Sequence, residues 1–320
     1  MVMKGYKAFD QDMVEIRGNG LQFELGINYS SEWDEFSYES GFHFCKDMEC
    51  LCVACDIDES RIFEIEADGE IIEYDENRYA AEKIRLVREL TNEEIRDYFD
   101  QNQQRFIKSR DSYIRMAAAE QGYGLDVLLY DEDSIVRQAV AEQGFRLDIL
   151  LHDEDFVVRK TVAKKGYGLD ILVHDEEWQV RNAVAMKGHG LDNLVHDENG
   201  YVRATVAKQG YGLYTLLHDE DSDVRAAVAE QGYGLDTLVH DQNPFVRKKV
   251  AEQGYGLDIL AHDEDMLVRE AAAKQGYGLD GLVHDENWEV RVAVAKQGCG
   301  LGILIHDKEL VVRLAAMKRK

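Results

Sequence analysis

The chain has 320 residues, 45% of them apolar, and carries 63 acidic against 37 basic side chains for a formal charge of -26. That apolar share excludes disorder of the whole and allows one large or two medium domains. The sign of the charge excludes a surface that attracts nucleic acid or anionic membranes. An apolar run of about 18 residues is absent and the opening MVMKGYKAFDQDM lacks the core of a signal peptide, so the expected setting is the cytoplasm, with no membrane contact. The expected partner is a protein with a basic surface, and no cofactor is expected.

Residues 1 to 110 read as a β-rich domain. Met3 to Phe9, Leu21 to Tyr29, Gly41 to Cys45 and Arg61 to Tyr74 show the apolar alternation and turn glycines of strands. Tyr79 to Leu90 fits a strand or a helix, and Asn92 to Ser109 fits a helix that leads into the next segment and covers its apolar end. Four of the five cysteines crowd between Cys45 and Cys55, which is no framework of disulfides. The first reading of this cluster is buried or free thiols. The second is zinc held by Cys45, Cys50, Cys52 and Cys55 with His43 nearby, although only Cys52 and Cys55 have the two-residue spacing of a zinc knuckle.

KGYKAF (Lys4 to Phe9), GFHFC (Gly41 to Cys45) and RIFEIEADGEI (Arg61 to Ile71) resemble an uncharacterised bacterial and phage domain that often precedes repeat arrays. The resemblance implies a bacterial or phage setting and no activity. Arg17, the Gly-x-His-Phe segment at Gly41 and Glu64 or Glu66 also resemble ADP-ribosyltransferase folds. That second resemblance implies an arginine or histidine that holds NAD and a glutamate that polarises its ribose.

From residue 111 the chain is periodic. Arginines recur every 22 residues from Arg115 to Arg313, within a unit close to HDEDxxVRxAVAxQGYGLDxLV, giving about nine and a half copies. Four places before each arginine stands Asp111, Asp133, Asp155, Glu177, Asn199, Asp221, Asn243, Asp265, Asn287 or Glu309; Asp and Asn are preferred helix N-caps. Pro244, the only proline, then falls at the first helical position, where a missing N–H costs nothing. V-R-x-A-V-A places apolar residues on one face of a short helix, and the glycine seven places after the arginine ends it in a left-handed cap. A leucine-rich stretch too short for more than one or two turns completes the unit. Neither helix can bury its apolar face alone, so units must stack. The expected fold class is α+β: an all-helical right-handed solenoid of short two-helix repeats over 111–320 behind the β-rich domain of 1–110.

DQNPFVRKK (Asp241 to Lys249) resembles the HEAT repeat, and the 22-residue unit resembles the variant leucine-rich repeat. Both are binding scaffolds without a shared catalytic residue. The HEAT resemblance implies a structural ladder between neighbouring repeats. Its aspartates would be Asp131, Asp153, Asp175, Asp197, Asp219, Asp241, Asp263 and Asp285; its arginines would be Arg137, Arg159, Arg181, Arg203, Arg225, Arg247, Arg269 and Arg291.

Three further columns invite a function. Histidines from His152 to His306 each precede an aspartate, but a translational repeat spaces identical groups along a line, about 10 Å apart for packed helices, too far to share a metal. The aromatic column Tyr123, Phe145, Tyr167, Tyr211, Tyr233, Tyr255 and Tyr277 reads first as rings closing the neighbouring repeat's core and second as an exposed ladder. The two places that open each long helix vary from copy to copy while the frame stays fixed. Phe156, Trp178, Tyr201, Phe245, Met266 and Trp288 there are the candidate partner-binding anchors. The expected function is a non-enzymatic protein-binding scaffold. It could be phage-encoded and inhibit a nucleic-acid-binding or defence enzyme by charge mimicry; the alternative is an ADP-ribosyltransferase-like N-terminal enzyme targeted by the repeats.

Overall fold

The computed structural model describes residues 2–13, 23–30, 42–48, 51, 60–74 and 78–319. The chain divides into two compact units, Met1–Thr161 and Val162–Lys320.

Among the described residues the first unit opens with five strands: β1 (Met3–Phe9), β2 (Asn28–Ser30), β3 (Phe42–Cys45), β4 (Arg61–Glu73) and β5 (Arg78–Glu89). All pairings are antiparallel, and β5 pairs with β3, β3 with β1, β1 with β4 and β4 again with β5. Four strands therefore close into a small barrel, which removes the exposed edges an open sheet would leave. β2 lies on β5 beside this ring, with Tyr29 opposite Ile84. Two irregularities in the β4–β5 register, between Glu64 and Ile65 and between Asp68 and Ile71, give these long strands the extra bend that closure needs. The interior is aromatic: Phe9, Phe23, Phe42, Phe44 and Phe63 pack with Ile65, Ile84 and Leu86. Lys7 also points inward; its Nζ donates to the carbonyl of His43 at 2.6 Å and lies over the Phe9 ring.

Of the segment expected as a strand from Leu21 to Tyr29, which is described from Phe23 onward, only Asn28 and Tyr29 lie in a strand. Phe23 is buried in the barrel core, but Gly26 turns the chain with φ of 81°, so pairing begins only at Asn28. Tyr79 to Leu90 resolves as strand, because one edge of β5 must serve β4 and the other β3 and β2.

Helix α1 (Asn92–Ile107) follows, started by a capping box in which Thr91 and Glu94 satisfy each other's backbone N–H groups. It buries Ile95, Phe99, Phe106 and Ile107, with the Phe99 and Phe106 rings 5.0 Å apart. α1 packs against α2 (Ser112–Glu120), which forms the first repeat with the one-turn helix α3 (Leu125–Leu128). Gly124 lies directly on Ile107 with φ of 60°, a position that excludes a side chain twice over, by contact and by backbone conformation. The Tyr123 hydroxyl donates to Asp100 on α1 at 2.9 Å. Burial and that bond push its pKa up to about 12.

The same pair of helices recurs through both units, as in Ser222–Glu230 with Leu235–Leu238. Side chains of Asp111, Asp133, Asp155, Asn199, Asp221, Asn243, Asp265 and Asn287 each accept from the amide two residues on, fixing the helix starts. Glu177 and Glu309 make no such bond, since the longer side chain overshoots. Pro244 opens its helix, where proline's lack of an N–H is harmless. Inside, Val224, Ala227, Val228 and Leu238 are buried, as are most of their equivalents. The small alanines let long helices of neighbouring repeats approach closely. Among the described residues no helix is long and apolar enough to cross a membrane.

Candidate functional site

The most regular polar structure in the molecule is an arginine–aspartate ladder. In the second unit Arg225 donates through Nε and Nη2 to both oxygens of Asp241, at 2.6 and 3.0 Å, sixteen residues ahead in the next repeat. Its Nη1 donates to the backbone carbonyls of Asp219 and Glu220 in its own repeat. Arg181, Arg203, Arg247, Arg269 and Arg291 repeat the pattern on Asp197, Asp219, Asp263, Asp285 and Asp307. In the first unit Arg115 holds Asp131 and Arg137 holds Asp153, while Arg159 donates to the carbonyls of Asp153 and Glu154. Each aspartate contributes its two polar groups separately. The carboxylate also accepts the amide two places on, as Asp175 does from Glu177 and Asp241 from Asn243, and the carbonyl faces its own arginine.

These pairs are almost dry, with side-chain exposure of 9% for Arg225 and 7% for Asp241. Burial alone pushes the Asp241 carboxyl up. Hydrogen bonds from Arg225 and the Asn243 amide, with the charges of Arg225 and Arg247, outweigh it and hold the group below its ordinary value. Asp131, Asp263 and Asp285 are lowered by the same balance, and Asp307 chiefly by its bond to Arg291. A carboxyl whose pKa is lower folded than unfolded contributes stability that is complete above the unfolded value and lost as pH falls through the folded one. The thermal midpoint followed by helical circular dichroism should accordingly stay level from neutrality down to about pH 5 and drop steeply below about pH 4. A midpoint unchanged at pH 3 or so would remove the ladder as a source of stability.

The histidine column beside these aspartates is exposed from His152 to His306. His218 and His240 line an open cleft of about 470 Å³ with Arg225 and Asp241, yet each neighbouring aspartate is already engaged by an arginine. The column therefore offers single imidazoles along an edge rather than a convergent site.

The candidate anchors lie where the long helices start. Tyr201, Phe245 and Trp288 are 63%, 44% and 41% exposed, whereas Phe156, Trp178 and Met266 are partly buried, Met266 against the repeat core. Trp178 and Tyr201, in successive repeats, stack at 5.4 Å between ring centroids and 24° between planes. Lys249 lies 5.4 Å from the centre of the Phe245 ring and also binds Glu230 and Glu252. Gly200 is the smallest member of the column, and a Cβ there would meet the Asp221 carboxylate.

Of the zinc candidates, Cys45 is buried on β3, and Cys50, Cys52 and Cys55 lie outside the described residues, as does Arg17. His43 stacks on Tyr74. Glu64 binds Arg88, and Glu66 faces Arg85 at 3.7 Å. Both glutamates therefore sit in cross-strand ion pairs with β5.

Fold and site together define a class: a small closed β-barrel followed by a helical repeat array with an internal salt-bridge ladder. A family described only as a domain of unknown function, DUF7666, matches residues 3–97, which is the barrel and the start of α1. No curated protein matches the chain. Among solved structures, an X-ray structure of YibA from Escherichia coli is 17% identical, covers 73% of this chain and 99% of its own, and superposes with a TM-score of 0.28.

Proposed function

We propose that the chain is a non-enzymatic scaffold of HEAT-like or variant leucine-rich repeats that docks another protein along the helix-start edge of its array. The observation that carries this reading is the stacked Trp178–Tyr201 pair, followed by exposed Phe245 and Trp288, on a frame whose ladder arginine recurs in every copy. Large aromatics held by their neighbours are the usual anchors of protein interfaces, because they bring much apolar area at little entropic cost. The formal charge of -26 favours a partner with a basic surface and a cytoplasmic meeting place. An inhibitor of a nucleic-acid-binding or defence enzyme, encoded by a phage or a bacterium, is the form of this reading that uses the charge most directly.

Capture of partners from a bacterial lysate by the full chain tests it. Against wild type, Trp178→Ala/Trp288→Ala should lose a specific partner, with affinity reduced by tenfold or more at about 2 kcal/mol per anchor. Identical partner sets would sink the proposed edge. For the inhibitor form, inhibition of a nucleic-acid-binding target must weaken as salt rises; inhibition independent of salt is incompatible with charge mimicry.

A further inference from the structure

We propose a second interaction surface at the opposite end of the long helices: a stripe of tyrosines and aspartates that takes an extended segment rich in arginine or lysine, one cation per repeat. It goes beyond the helix-start edge and stands whether or not that edge docks a protein. Four observations carry it.

Tyr211, Tyr233, Tyr255 and Tyr277 recur at the turn after each long helix, and each is exposed by 38% to 44%. Three residues beyond each turn position lie Asp170, Asp192, Asp236, Asp258 and Asp280, all exposed, with Tyr214 taking that place once. Where a shorter polar side chain replaces the tyrosine, the register becomes visible. His189 Nε2 is 2.8 Å from Asp170 Oδ1, and Cys299 Sγ donates to Asp280 Oδ1 at 3.7 Å. Both pairs are nineteen residues apart, so the turn residue of one repeat meets the aspartate column of the repeat before. The same register assigns Tyr211 to Asp192, Tyr255 to Asp236 and Tyr277 to Asp258.

An aromatic face beside a carboxylate is what a guanidinium or ammonium group needs: a π surface for the cation and an oxygen for its N–H groups. The local field agrees. These turns stand at the C-terminal ends of the long helices, where the helix dipole is negative and favours cations. In the first unit the chain supplies such a cation itself. Arg146 takes the place that glycine holds in the other repeats, in a left-handed conformation with φ of 47°, and its guanidinium binds the aspartate of this column, Asp148, through two bonds of 2.9 and 3.0 Å. Packed helices lie about 10 Å apart and an extended chain advances about 3.3 Å per residue. A peptide with a cation at every third position therefore keeps step with the repeats.

The test uses the full chain and two labelled peptides of equal composition, arginine-serine-glycine repeated four times and a variant with its four arginines contiguous. Fluorescence anisotropy should show the spaced peptide binding about tenfold more tightly, since only it reaches successive rings. Tyr233→Ala/Tyr255→Ala/Tyr277→Ala should weaken the spaced peptide about tenfold at unchanged net charge, whereas the three Tyr→Phe changes should stay within about twofold, because phenylalanine keeps the face. Trp178→Ala/Trp288→Ala should bind the spaced peptide like wild type, which separates this surface from the helix-start edge. Equal binding of the two peptides, or an alanine triple that matches wild type, reduces the effect to general attraction by an acidic protein and overturns the proposal.

Discussion

Replacing Asp241 with alanine is expected to lower stability by about 3–5 kcal/mol, the cost of leaving one partner of a buried ion pair without the other. The stranded group is Arg225, whose guanidinium keeps its carbonyl acceptors in its own repeat but loses both bonds to the next. Asn243 loses an acceptor for its amide as well, so the start of helix Pro244–Glu252 loosens with the rung. Because stability in an array is a sum of repeat and interface terms, one broken interface should uncouple the repeats on either side. Denaturant unfolding followed by helical signal should change from one transition to two, with the midpoint of the weaker part sharply lowered. Replacing both partners by apolar residues, Arg225→Met/Asp241→Leu, should cost far less than the single change. If the single and double variants are equally damaged, the rung acts through packing and not through its charges.

The second large effect is expected at Phe106, which is 2% exposed, packs against the Phe99 ring and belongs to the helix that closes the array's first repeat. Phe106→Ala removes a fully buried ring, a change worth about 3–5 kcal/mol in a core that cannot collapse around the gap. The loss falls on α1 and on the repeat it covers, where Gly124 sits on Ile107 and Tyr123 binds Asp100. Hydrogen exchange should therefore quicken in residues 95 to 129 and remain slow beyond about residue 180. Uniform quickening through the array would show that this helix is not a local cap.

The repeat was legible because every copy bears the same physical requirements in the same columns. N-cap aspartates, the proline at a helix start and the positive-φ glycines could each be assigned from local chemistry. The ladder needed more. Each arginine from Arg137 to Arg291 has an aspartate six residues behind and another sixteen ahead, chemically identical in the sequence, and only the fold decides that the first gives its carbonyl and the second its carboxylate. In the barrel, β5 was ambiguous because Ala80 and Ala81 are both buried, which breaks the alternation that marks a strand with one covered face. The tyrosine column read first as core cover and is two-fifths exposed in the second unit.

One property of the ladder bears on how such a gene can change. Each 22-residue unit contributes one aspartate to the rung behind it and one arginine to the rung ahead. Excising residues 219–240 as a block would carry away Asp219 and Arg225 together and bring Arg203 opposite Asp241, with no charge orphaned. Recombination between copies, in register, therefore lengthens or shortens the array by whole units without a damaged intermediate, whereas an out-of-register crossover buries an unpaired ion. The chemistry of the rung thus acts as a proofreading rule on duplication, and repeat number is a quantity that selection can adjust one unit at a time.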